Sequence, residues 1–211
     1  MPSPEPSPEP GAGAKEELAA TPSQTVGPYF SIGLTWADGR FAVEDGTPGR
    51  IWIRGRVTDG NGEPVPDAMV ETWQADPDGG FDHALGDGSG TARRRRDGGR
   101  WEGAFRGLGR SPTDLDGGYA ILTLKPGRVA GADGALQAPH IDVSVFARGL
   151  LKRVVTRIYF EDEADANAHD AVLTALVDPA DRDTLIARRT DDGYRFDIRL
   201  QGDGETRFFQ L

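Results

Sequence analysis

With 211 residues, 37% of them hydrophobic, the chain can bury one sizeable core, and no break in composition calls for a second domain. A formal charge of −10 argues against a general nucleic-acid surface and against an anionic membrane surface, both of which need positive fields. With no cysteine, disulfides, thiolate metal sites and cysteine nucleophiles are excluded, so packing alone must hold the core.

Residues 1–20, MPSPEPSPEPGAGAKEELAA, combine Pro, Ser, Glu and Gly with almost no bulky apolar side chain. Such a stretch does not repay the entropy of ordering and reads as a disordered leader. It has no apolar region of a secretory signal and nothing in the chain approaches a membrane span, so a cytoplasmic protein is expected. The remainder, 21–211, reads as a single domain that begins with an arm over 21–35. In that arm Pro28 fixes its own φ and biases Gly27 towards extended backbone, which presents Thr25 and Tyr29 in a defined relation. Either Tyr29 packs onto the core of its own chain, or the arm carries its side chains to another site.

From residue 50 the dominant period is two. In IWIRGRV, Ile51, Ile53 and Val57 share one face while Trp52, Arg54 and Arg56 take the other, the alternation of a half-buried strand. Asp59-Gly60-Asn61-Gly62-Glu63-Pro64 then predicts a hairpin-like connection to a strand over 69–75. The segment 76–112 carries little periodicity and reads as a long loop that binds, covers or assembles something. Phe81, Trp101, Phe105 and Leu108 within it are apolar anchors, for a neighbouring chain or for the parent core. Arg93-Arg94-Arg95-Arg96, among Gly and Asp, reads as a solvated or partner-facing charge run. Further strands are predicted over 119–124, 141–147, 154–160 and 194–201, with a short edge at 207–210. A helix is expected over 170–177, and Asp178-Pro179 offers an N-cap and first-turn proline for a second helix reaching about residue 188. Many strands, Gly/Pro/Asp turns, long loops and one or two short helices predict an all-β fold, an antiparallel β-sandwich.

Candidate chemistry is sparse. No nucleophile elbow, phosphate-binding loop, dinucleotide fingerprint or HExxH occurs. Of three histidines, His83, His140 and His169, the last lies among Glu161, Asp162, Glu163 and Asp165 and suggests no role, while His140 opens a strand whose period places His140, Asp142, Ser144, Phe146 and Arg148 on one face. His140 and Asp142 either supply two ligands to a metal or satisfy each other and the backbone. Arg148, before Gly149, either grips a carboxylate through two parallel hydrogen bonds or makes a structural ion pair.

Read in order, TPSQTVGPYFSIGL, GRVTDGNGEPVPDAMVETWQAD, LDGGYAILTLKPG, APHIDVSVFARG, TRIYFEDE and YRFDIRLQGDGETRFF resemble the intradiol ring-cleaving dioxygenases over about residues 21–211. The likeness is to the alpha-type chain of the paired-subunit members. It implies a β-sandwich and a non-haem ferric ion held by a partner beta subunit, whose tyrosines follow W-Q-A-x5-Y and K-P-G-x-Y and whose histidines lie in A-H-I-H. At the matching positions this chain has Phe81, Val129 and Asp142, and retains His140 alone, so the resemblance implies no metal site here. It further implies that Thr25, Pro28, Tyr29 and Arg148 approach the partner's iron and help to bind a small aromatic substrate, protocatechuate, which is cleaved with O₂ to 3-carboxy-cis,cis-muconate in aromatic catabolism. The competing expectations are a sandwich module that only scaffolds or binds, and a self-sufficient dioxygenase using His140 and Asp142.

Overall fold

A computed structural model describes residues 20–25, 27, 29–81, 105–131 and 134–210. The leader up to residue 19, Pro28, His83, the Arg93–Arg96 run and Trp101 lie outside the described residues. No helix among the described residues is long and apolar enough to cross a membrane.

The arm forms one helical turn, α1 (Tyr29–Gly33), anchored by buried Phe30. Eleven strands follow among the described residues: β1 (Arg50–Thr58), β2 (Met69–Gln74), β3 (Leu108–Pro112), β4 (Gly118–Leu124), β5 (Val129–Ala130), β6 (Leu136–Gln137), β7 (His140–Phe146), β8 (Val154–Phe160), β9 (Ile186–Thr190), β10 (Gly193–Arg195) and β11 (Ile198–Arg199). Between β8 and β9 lie a 3-10 turn and three short helices, α2 (Ala164–Asn167), α3 (Ala171–Ala175) and α4 (Pro179–Asp183). The main sheet runs β11-β1-β10-β9-β8-β7-β2-β3, with β4 on the other side of β1, and β5 and β6 pair separately. Its two ends return to one another where Ala120 of β4 donates to Ser111 Oγ of β3 at 3.3 Å. The inward side chains of β1, β2, β4 and β7 to β11, Ile53, Val70, Ile121, Ile141, Ile158 and Ile198 among them, fill the core.

The all-β, sandwich-like class predicted from the sequence is what forms, with corrections. The sheet is mixed: β8 pairs β9 in parallel, and β1 pairs β10 and β11 in parallel. Parallel neighbours need a crossover, and the helical stretch from Phe160 to Ile186 supplies one. The turn after β1 makes no hairpin with β2. It folds back on β1 itself, Val65 N bonding Val57 O at 2.9 Å, and β2 then pairs β3 and β7 instead. The helix expected to reach residue 188 stops at Asp183 because Ile186 and Ala187 are drawn into the sheet beside Tyr159 and Phe160. The strand predicted over 194–201 breaks into β10 and β11 at Phe196 and Asp197, where Phe196 N bonds Arg54 O and Asp197 receives the Arg56 N–H. At 207–210 only an isolated bridge forms, Val155 to Phe209. Phe105 packs home, buried with Ala42, Val43, Leu122 and Leu124.

Candidate functional site

Gly27 has φ +63, not the extended backbone expected ahead of a proline. Without a Cβ the left-handed region is open to it, and the arm turns there. Thr25 just before this turn reaches across the chain: its Oγ1 accepts the Gly149 N–H at 3.0 Å. Gly149 follows Arg148, so this bond ties the arm to the end of β7. Strand β7 stops at Phe146, and Arg148 sits in the turn beyond it, which removes Arg148 from the strand face that period two assigned to it.

The Arg148 side chain is 67% exposed, and its Nε lies 2.8 Å from Asp67 Oδ2. Asp67 was not singled out in the sequence, where it closes Pro64-Val65-Pro66-Asp67 as one of many acidic loop residues. Tyr29 begins α1 and is 78% exposed, with neither hydrogen bond nor ring contact among the described residues. The structure therefore brings Thr25 and the Arg148 turn together and leaves Tyr29 pointing away into solvent, while Pro28 lies outside the described residues. Beyond Tyr29 the arm is fixed by Arg110, which stacks over Trp36 at 4.6 Å, donates to Leu34 O at 2.8 Å and pairs with Glu71 on β2.

The positions compared with iron ligands are occupied differently. Phe81 stacks on Trp73 at 6.3 Å, and Val129 is half-buried where β5 pairs β6. Asp142 lies directly opposite Arg157 across β7 and β8 and accepts its Nε–H at 2.8 Å. Arg157 also donates to Gln137 Oε1 at 2.9 Å. His140 is buried, its Nδ1 set 2.7 Å from Ala138 O, and burial together with the Arg157 charge pushes its imidazole below the ordinary histidine range. These residues do not fit a ferric ion. Phenylalanine and valine offer no donor atom, the one carboxylate is engaged by a guanidinium, and among the described residues no three His, Cys, Asp or Glu side chains gather.

Comparison with known proteins gives a consistent set of relatives. A family model described as Dioxygenase matches residues 25–202. The chain is 43% identical to the protocatechuate 3,4-dioxygenase alpha chain of Pseudomonas putida, across 93% of this chain and 98% of that one. It is 34% identical to the protocatechuate 3,4-dioxygenase beta chain of Burkholderia cepacia, across 78% of this chain and 71% of that one. Among solved structures it is similar to the dioxygenase domain of a dioxygenase carbohydrate-binding fusion from Streptomyces sp. SirexAA-E, with a TM-score of 0.53 and 26% identity, covering 87% of this chain and 99% of that one.

Proposed function

Because this chain belongs to the intradiol dioxygenase family, we propose that it is the non-iron alpha chain of a cytoplasmic protocatechuate 3,4-dioxygenase that works with a beta chain. The family is iron-dependent, and the described residues of this chain do not fit the ion, so the ferric chemistry is assigned to the beta chain. In the net reaction the ring bond between the two hydroxyl-bearing carbons breaks and both atoms of O₂ enter the product, 3-carboxy-cis,cis-muconate.

The contribution of this chain is binding and orientation. Protocatechuate carries a carboxylate on the side of the ring away from its two hydroxyls, and Arg148 supplies a guanidinium able to hold that carboxylate by charge-assisted hydrogen bonds. The observation that carries this reading is the Thr25–Gly149 hydrogen bond, which locks the arm to the turn bearing Arg148 while the guanidinium stays open to a ligand. Thr25, Pro28 and Tyr29 form the adjoining wall in the assembled site, and together with the beta chain they exclude water from the ring. Orientation of this kind lowers the barrier by fixing which face and which carbons meet the oxidant.

The test uses the alpha–beta complex carrying Arg148→Ala. Its KM for protocatechuate is expected to rise about tenfold or more, with KM for catechol, which lacks the carboxylate, changing less than about twofold. Equal effects on both substrates would count against carboxylate binding, and no effect on either would favour a purely scaffolding chain.

A further inference from the structure

We infer that Asp67 is the positioning residue for Arg148, holding the guanidinium at one nitrogen so that its two terminal nitrogens face a carboxylate-bearing ligand. The inference rests on the carboxylate-binding reading of Arg148 and adds a residue to it.

The backbone around Asp67 is fixed from several sides. Pro66 sets its own φ. Thr113 Oγ1 donates to Val65 O at 2.7 Å and accepts from Ala68 N at 2.9 Å, while Thr113 N bonds Ala68 O at 2.9 Å. Ala68, the next residue, is fully buried. The Asp67 side chain is only 24% exposed, against 67% for the arginine it meets. A well-placed carboxylate thus faces a long, otherwise free side chain, and among the described residues Arg148 has no other ion pair or hydrogen bond.

The contact is at Nε. Asp67 Oδ2 lies 2.8 Å from that nitrogen and is closed off from solvent, yet it accepts no hydrogen bond in this arrangement. A small rotation of the guanidinium would satisfy a buried oxygen that is otherwise left without a donor, so the pair has a reason to tighten when the ligand site is completed. Anchoring at Nε leaves Nη1 and Nη2, the end-on fork that matches both oxygens of a carboxylate. On the backbone side, Gly149 N is held by Thr25 Oγ1 and Leu150 N by Ala147 O. Main chain and side chain of Arg148 are therefore both constrained, each by a different element.

Asp67 also carries a negative charge close to where a ligand carboxylate would sit. If that charge were all that mattered, removing it would tighten carboxylate binding by relieving repulsion. A positioning role predicts the opposite sign, because an untethered arginine loses rotamer order each time it binds. The sign of the change therefore separates the two.

The experiment measures steady-state kinetics of the assembled alpha–beta enzyme with Asp67→Ala and Asp67→Asn, each on protocatechuate and on catechol. Asp67→Ala is expected to raise KM for protocatechuate about tenfold, with kcat on both substrates and KM for catechol changing less than about twofold. Asp67→Asn keeps an acceptor for Nε–H and is expected to recover most of the loss. An unchanged or lower KM for protocatechuate in Asp67→Ala, or an equal rise for both substrates, overturns the inference. Should Asp67→Ala fail to assemble, Asp67→Ser, too short to reach Nε, carries the same expectation and the same overturning outcomes. If Arg148→Ala does not separate the two substrates, the carboxylate reading itself has failed. If Arg148→Ala separates them and the Asp67 variants do not, only the role of Asp67 has failed.

Discussion

A buried histidine becomes a liability in acid. His140 is buried against Ala138 O and Tyr159, with Arg157 on the neighbouring strand and Asp142 and Asp170 nearby. Burial and the arginine lower its affinity for a proton more than the two carboxylates and the carbonyl raise it. The unfolded chain takes up that proton near the ordinary histidine value of about 6.5, and the folded chain only at lower pH. Stability is therefore complete above about pH 6.5 and is lost as pH falls from there through the folded-state value. Urea midpoints at pH 7.5 and 5.5 are expected to differ less in His140→Gln than in the parent; an equal difference in both would refute this account. The sequence was informative here about which residues share a face, since His140 and Asp142 do lie together on β7, but not about their partners. Arg157 and Asp67 each sit far along the chain from the residue they engage, and nothing local marks either of them. The departure of Arg148 from the strand face depends on where β7 ends, which pairing with β2 and β8 decides.

At the level of strands and helices, the crossover between β8 and β9 is where local signals and the final structure part company. Asp178-Pro179 starts a helix as read, with Asp178 accepting from Ala180 N, but the chain leaves it after Asp183 because sheet pairing claims the next segment. Strand β9 has one buried residue followed by three exposed ones, so it lacks the alternation by which β1 announces itself. Asp170 holds the crossover in place. Its carboxylate caps α3 by accepting from Val172 N and Leu173 N, and the same buried group accepts from Ala138 N at 2.8 Å and Tyr159 OH at 3.1 Å. A fully buried acceptor that serves four donors on three segments is costly to remove, because each donor is then desolvated without a partner. Asp170→Ala is expected to lower unfolding free energy by about 3 kcal/mol or more, and Asp170→Asn, which retains one carboxamide oxygen, by distinctly less. Equilibrium urea unfolding of the isolated chain measures both. A loss under about 1 kcal/mol for the alanine variant would show that the helices dock by apolar contact alone. A second constraint sits at Gly55 on β1, where a Cβ would stand 1.7 Å from Phe196 O. The close approach accompanies the break between β10 and β11, and only a residue without a side chain permits it inside the strand.

Over the molecule as a whole, a net-acidic protein leaves a run of apolar side chains uncovered among the described residues. Phe30 of α1 is buried, yet Tyr29 and Ile32 on the same turn are 78% and 75% exposed, and Leu34 and Trp36 follow at 45% and 43%. Single exposed apolar residues elsewhere, such as Leu115 and Val177, are ordinary, but several along one arm amount to a surface that water disfavours. The arm is not a loose end: Thr25 bonds Gly149, Phe30 is anchored inward, and Arg110 binds Leu34 O while stacking on Trp36. An apolar surface anchored in this way has the character of an interface, which agrees with a function divided between two chains. Two substitutions on the same helical turn separate its two jobs. Phe30→Ala is expected to cost the isolated chain about 3 kcal/mol, since it empties a core position. Ile32→Asp is expected to change the stability of the isolated chain by less than about 0.5 kcal/mol and to weaken association with the beta chain by about tenfold or more, measured by titrating labelled alpha chain with beta chain. Association unchanged in Ile32→Asp would place the interface elsewhere on the molecule, and with it the wall that Tyr29 is proposed to form.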